Sequence, residues 1–246
     1  MLNKVPAVTL SFWLIKILST TVGETGADYL AVNVGLGAMV TDAISVALLL
    51  AALWHQLRAP RYTPWVYWLC VVLLSVVGTQ ITDALTDGLE VSLYLSTGVF
   101  GVLLAVVFAS WYQRERTLSI HTIMTRRREL FYWSAILLTF ALGTAAGDLA
   151  TEALGLGFRV GVFIFGGLIA ATYVAYRCGL NPVLSFWMAY ILTRPLGASL
   201  GDLLSQSPEY GGVGLGTVNT SLAFLLVIAA LVAFISRSAS STSTNA

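Results

Sequence analysis

The sequence predicts an all-α integral membrane protein with eight transmembrane helices, built from four parallel two-helix repeats that gather as a pseudo-fourfold helix bundle. Three observations predict it. First, 57% of the 246 residues are hydrophobic and only 10% are charged, with a mean hydropathy of +0.83, far more apolar than a soluble domain of this length needs to be. Second, one pattern recurs four times without a gap: a tryptophan, a glycine ten residues later and an aspartate fifteen residues later. The sets are Trp13, Gly23 and Asp28; Trp68, Gly78 and Asp83; Trp133, Gly143 and Asp148; Trp187, Gly197 and Asp202. Ungapped self-similarity of this kind marks tandem repeats. Third, the basic residues fall in alternate loops, so every repeat enters the membrane in the same direction.

A helix needs about 20 apolar residues to cross the hydrocarbon core, and eight stretches qualify: 7–27, 33–54, 65–86, 91–112, 131–152, 158–177, 183–204 and 214–236. The first follows Lys4 and could pass for a signal peptide. It carries the same Trp, Gly and Asp positions as the other repeats, so it is expected to be retained. The second contains Asp42, well inside the apolar run. Through Gly35-Leu-Gly and Gly214-Leu-Gly it aligns with the eighth stretch, which places Ser221 against Asp42. The third and seventh start after Pro64 and Pro182, residues suited to a helix start. The seventh also holds Arg194-Pro195, the expected break in a helix.

Residues 1–112 form repeats one and two, 113–130 a basic cytoplasmic linker, 131–237 repeats three and four, and 238–246 a Ser- and Thr-rich tail expected to be disordered. Arg58, Arg61, Arg114, Arg116, Arg126 to Arg128 and Arg177 lie in the even-to-odd connections, which puts both termini in the cytoplasm. Cys70 and Cys178 do not form a disulfide framework.

The tenth and fourteenth positions after each Trp share a helix face. They read Gly23 and Ala27, Gly78 and Thr82, Gly143 and Gly147, Gly197 and Gly201. Small residues at this spacing let membrane helices approach closely. A neighbouring face carries the acids: Glu24 and Asp28, Asp83 and Asp87, Asp148 and Glu152, and Asp202, with Thr79 and Thr144 among them. At 1.5 Å per residue the repeated Asp lies roughly 30 Å from the helix start, near the far boundary of the hydrocarbon. In repeats two and three the sequence after the Asp continues as though the helix ran on, which argues against an N-cap role.

Acids in membrane segments mark functional sites by default. Asp28, Asp83, Asp148, Asp202, Glu24, Asp42, Asp87 and Glu152 are therefore candidate ligands for a metal ion or carriers of protons. Lys16 and Arg194 are the basic residues of the same segments, and either could reach back to the boundary or pair with an acid to close a gate. Oxygen ligands without a Cys or His cluster suit hard divalent ions such as Mn²⁺ or Mg²⁺.

The motifs Phe12-Trp-Leu-Ile-Lys, Thr20-Thr-Val-Gly-Glu-Thr-Gly-Ala-Asp, Phe131-Tyr-Trp, Leu142-Gly-Thr-Ala-Ala-Gly-Asp and Leu192-Thr-Arg-Pro-Leu-Gly resemble those of a family of bacterial integral-membrane proteins. That family is built from four tandem two-helix repeats with a Trp in each. The resemblance implies this topology and a bacterial inner-membrane location, and it brings no activity. The expected function is a cation transporter or channel for a divalent metal, with no resident cofactor and no enzymatic reaction. A transporter of a small organic or cationic solute is the first alternative, and an intramembrane enzyme using paired carboxylates the second. Expected partners are the lipid bilayer, a metal ion or a proton and, as an option, further copies of the chain in a homo-oligomer; nucleic acid is not among them.

Overall fold

The computed structural model describes residues 3–33 and 38–244, with the side chains of Asp28, of 30–33 and of 238–244 outside the description. Among the described residues the chain is all-helical, with eight α-helices: α1 (Leu10–Asn33), α2 (Ala38–Arg58), α3 (Pro64–Asp83), α4 (Leu93–Glu115), α5 (Arg126–Asp148), α6 (Gly157–Arg177), α7 (Pro182–Ser205) and α8 (Thr217–Thr244). Six of them, α2 to α6 and α8, are long and apolar enough to cross a membrane. In α1 and α7 the buried charged residues Lys16, Glu24, Arg194 and Asp202 lower the hydropathy that crossing requires.

The odd-numbered helices form a closed ring, in which α1 packs on α3, α3 on α5, α5 on α7 and α7 on α1. Each even-numbered helix lies outside it against the next odd one: α2 on α3, α4 on α5, α6 on α7 and α8 on α1. The outer helices turn apolar side chains outward, Met39, Val102, Phe163 and Leu226 among the most exposed. A continuous apolar exterior of this kind is suited to lipid.

Two contacts repeat at all four joints of the ring. At one end, the aromatic residue before each Trp packs on the Trp of the next repeat. Phe12 meets Trp68 at 5.6 Å between ring centroids, Tyr67 meets Trp133 at 5.4 Å, Tyr132 meets Trp187 at 6.3 Å and Phe186 meets Trp13 at 5.6 Å. Further along, each repeated glycine abuts the residue seven after the next repeat's Trp: Gly23 against Ser75, Gly78 against Phe140, Gly143 against Arg194 and Gly197 against Thr20. None of these glycines has room for a Cβ. At Gly78, for example, a Cβ would come within 2.6 Å of the Phe140 Cβ. The recurring Trp and Gly are thus the two ends of one helix-to-helix joint.

Several expectations need correction. α5 begins at Arg126 rather than near 131, because Thr125 accepts a hydrogen bond from the Arg128 backbone N–H at 3.3 Å and caps the helix ahead of the basic run. α7 continues unbroken through Pro195. Gly143 on α5 leaves room for the proline, since a Cβ there would come within 3.1 Å of the Pro195 Cδ. The helices after Asp83 and Asp148 do run on, but as single wide π-helical turns, Ala84–Gly88 and Leu149–Ala153. The backbone of α8 continues as helix to Thr244, into the Ser- and Thr-rich tail. Cys70 and Cys178 are free thiols.

At the tryptophan end the Lys4 Nζ donates to the Glu129 Oε2 at 2.7 Å and to the Leu57 carbonyl at 3.2 Å, and the Gln56 Nε2 donates to the Glu129 Oε1 at 3.1 Å. This buried pair ties the N-terminal segment, α2 and α5 together. Removing one partner of a buried ion pair costs about 3–5 kcal/mol. Lys4→Met should therefore lower the thermal unfolding temperature of the detergent-solubilised protein markedly, and Lys4→Arg should retain most of it.

Candidate functional site

Counting back from each repeated Asp in steps of four traces one helix face, and in α1, α3, α5 and α7 that face turns into the ring. Eleven residues after each Trp stand Glu24, Thr79, Thr144 and Ala198; seven after, Thr20, Ser75, Phe140 and Arg194; three after, Lys16, Val71, Ile136 and Tyr190; one before, Phe12, Tyr67, Tyr132 and Phe186. All of these are buried except the half-buried Phe186.

Arg194 fills the middle of the ring and is fully buried. Its Nε donates to the Thr144 Oγ1 at 3.1 Å. Its Nη1 donates to the Thr20 carbonyl at 2.6 Å and the Ser75 Oγ at 3.3 Å. Its Nη2 donates to the Glu24 Oε2 at 2.8 Å, to the Thr144 Oγ1 at 2.7 Å and to the Thr79 Oγ1. One side chain from α7 thereby bonds to α1, α3 and α5, and it reaches the eleventh position of every other repeat. In its own repeat that position is Ala198, one turn further along the same helix. The planar guanidinium fork suits such a multi-point cage better than an ammonium would. Gly143 provides the space, because a side chain there would collide with the Arg194 stem.

Toward the tryptophan end lies Lys16, also fully buried. It reaches neither a boundary nor an acid. Its Nζ has no hydrogen-bond partner among the described residues and sits 4.2 Å from the Phe140 ring centroid and 4.3 Å from that of Tyr190. Aromatic faces attract a cation through the ring quadrupole. Below it Tyr67 and Tyr132 join hydroxyl to hydroxyl, and the aromatic layer closes the ring.

Toward the other end are the acids. Asp148 feels the charges of Glu24, Asp202, Glu152 and Asp83, and Glu152 those of Glu24 and Asp87. Asp202 and Glu24 are buried, Asp83 and Asp148 half-buried, and Asp87 and Glu152 exposed on the π-helical turns. The fold therefore brings six of the eight candidate acids together at one end of the ring, beyond Arg194. The Asp28 side chain lies outside the described residues. Asp42 does not join the six: it is half-buried on α2, a helix outside the ring. Among the described residues no three His, Cys, Asp or Glu side chains stand close enough to hold a metal ion. Each acid is carried on its own turn or helix.

The glycines fourteen after the tryptophans face the next helix of the ring. Gly147 and Gly201, fourteen after their tryptophans, lie 3.5 Å and 3.4 Å, as measured to an added Cβ, from Pro195 and Thr21, each eight after the next Trp. In repeat two Thr82 fills the same place and donates to the Ala141 carbonyl at 3.1 Å. The sequence alone did not mark Ser75 and Phe140 as axial residues, or the aromatic layer. Continuing the acidic stripe backwards in fours would have found them.

A ring of helices with a charged, hydroxyl-lined interior and an apolar exterior defines a multi-pass membrane protein of tandem helix-pair repeats. The chain belongs to the family described as Repeat of Unknown Function (DUF347), which matches it four times, at residues 11–62, 66–117, 131–178 and 185–241. No curated protein and no solved structure matches the chain.

Proposed function

We propose that this protein is a gated cation transporter of the bacterial inner membrane. In this reading all eight helices span the bilayer as four parallel repeats around a pseudo-fourfold axis, with both termini cytoplasmic and the acidic mouth facing outward. The observation that carries it is the position of Arg194, a buried guanidinium in the middle of the ring directly beneath a cluster of carboxylates. The carboxylates concentrate cations at the mouth. The Arg194–Glu24 pair closes the axis below them, and a cation arriving at Glu24 competes with the guanidinium and releases it. Hard divalent metals and organic cations are the two classes of cargo that a negative mouth attracts.

The arrangement favours transport over catalysis, because general acid–base chemistry requires two differentiated acids beside a substrate cleft. Here the acids are repeat-related and ring a mouth. The test is charge movement on a solid-supported membrane carrying proteoliposomes of the full chain. Cation jumps are expected to give transient currents that vanish in Glu24→Gln. If no cation moves charge in well-folded wild-type protein, the reading fails. Asp83→Asn, Asp148→Asn and Asp202→Asn should each raise the half-saturating cation concentration, and combinations should raise it in steps. Abolition of transport by any one of them with no effect from the others would contradict a shared mouth.

A further inference from the structure

The cage around Arg194 is matched to a particular kind of cation. Its acceptors are the Glu24 carboxylate, the Thr79, Thr144 and Ser75 hydroxyls and the Thr20 carbonyl, and together they take hydrogen bonds from all three guanidinium nitrogens. They come from three helices and supply one formal negative charge, which neutralises a monovalent ion. A divalent metal in the same place would be left with an unbalanced charge in a buried site, a costly arrangement. One turn away, Lys16 is held by the faces of Phe140 and Tyr190. Such faces favour organic cations, whose weaker hydration makes them easier to strip of water than hydrated metal ions. Both basic side chains on the axis end in nitrogen, Arg194 in an oxygen cage and Lys16 between two aromatic faces.

From this we infer that the protein carries a guanidinium-type cation, and that Arg194 is an internal mimic of the cargo, occupying the substrate cage while the axis is closed. The inference rests on the cation-transport reading above and names its substrate class. An incoming guanidinium passes the acidic mouth and takes over the Glu24, Thr79 and Thr144 oxygens as the Arg194 side chain withdraws. Arg194 stays attached to α7, so the incoming guanidinium adds one positive charge to the interior, and Asp148, within electrostatic reach of Glu24 and Asp202, supplies the counter-charge. Hydroxyls at two of the eleventh positions serve an N–H donor, where a metal site would need further carboxylates.

Radiolabelled guanidinium uptake into proteoliposomes of the full chain tests it, with Na⁺, Mn²⁺, Mg²⁺ and methylammonium measured in parallel vesicles. The expected result is saturable guanidinium uptake, lost in Glu24→Gln and weakened in Thr144→Val, a near-isosteric change that keeps the packing while removing one acceptor. Movement of metal ions or methylammonium without guanidinium would overturn the substrate assignment and leave cation transport standing. Movement of no cation at all would overturn both. Guanidinium uptake that Thr144→Val and Glu24→Gln leave untouched would also overturn the assignment, because the cargo would then bypass the cage.

Discussion

Glu24→Leu is expected to destabilise the protein by about 3–5 kcal/mol, because it strands the Arg194 guanidinium in the interior with only neutral acceptors. The carboxylate lies 2.8 Å from the guanidinium, and the Arg194 side chain is wholly excluded from solvent. Glu24→Gln keeps an oxygen acceptor in the same place and should cost less, which is why it serves as the functional variant. Arg194→Leu leaves Glu24 charged among the acids of the mouth, and its cost is also large. The double variant Glu24→Leu with Arg194→Leu should recover much of the loss, since replacing a buried pair by apolar groups of similar volume is often near neutral. Unfolding of the solubilised protein, followed as a double-mutant cycle, measures this coupling. Additive losses would mean that the two side chains stabilise the ring independently.

The second large effect is expected at the ring joints. Ala at Gly23, Gly78, Gly143 or Gly197 pushes a methyl group into the adjoining helix, and overpacking of this kind costs about 1–3 kcal/mol per site. Gly197→Ala is the most informative. Its added Cβ would crowd the Thr20 side chain and come within 3.1 Å of the Thr21 backbone N, at the joint where repeat four meets repeat one. Gly98 and Gly167, on outer helices, have nothing within 4 Å of an added Cβ. Ala there should be neutral or stabilising by up to about 1 kcal/mol, given its better helix propensity. Expression-normalised thermal stability of the six variants should separate them into two groups. Equal behaviour would show that the glycines are not the joints.

Much of this architecture was legible in the sequence because it repeats. The Trp, Gly and Asp positions define the helix pairs, and stepping by four from Glu24 to Asp28, or from Thr79 to Asp83, identifies a polar face without coordinates. What the sequence could not supply is which helix meets which. Glu24 and Arg194 stand 170 residues apart, and their pairing depends on the ring closing repeat four onto repeat one, a property of packing that no local pattern encodes. For the same reason Asp42 and the repeat acids looked alike as intramembrane charges, yet α2 lies outside the ring and α3 within it. The role of the tryptophans was hidden similarly. An aromatic near a helix end reads as an interfacial anchor, and only the joint with the preceding repeat makes it a packing residue. Lys16 could have paired with an acid, and the aromatic faces of Phe140 and Tyr190, contributed by two other helices, took that place.

The central claim is that the interior of the ring is a pathway closed by Arg194. Single cysteines at Thr79, Ser75 and Val71, in a background with Cys70 and Cys178 replaced by Ser, report on it when intact cells are treated with a membrane-impermeant thiol reagent. With Arg194 present, labelling should stop at or above Thr79→Cys. In Arg194→Gln it should extend to Ser75→Cys and Val71→Cys, one and two turns deeper. A folded Arg194→Gln protein in which Ser75→Cys and Val71→Cys stay unlabelled would contradict the account, because the ring would then be a packed core rather than a gated path.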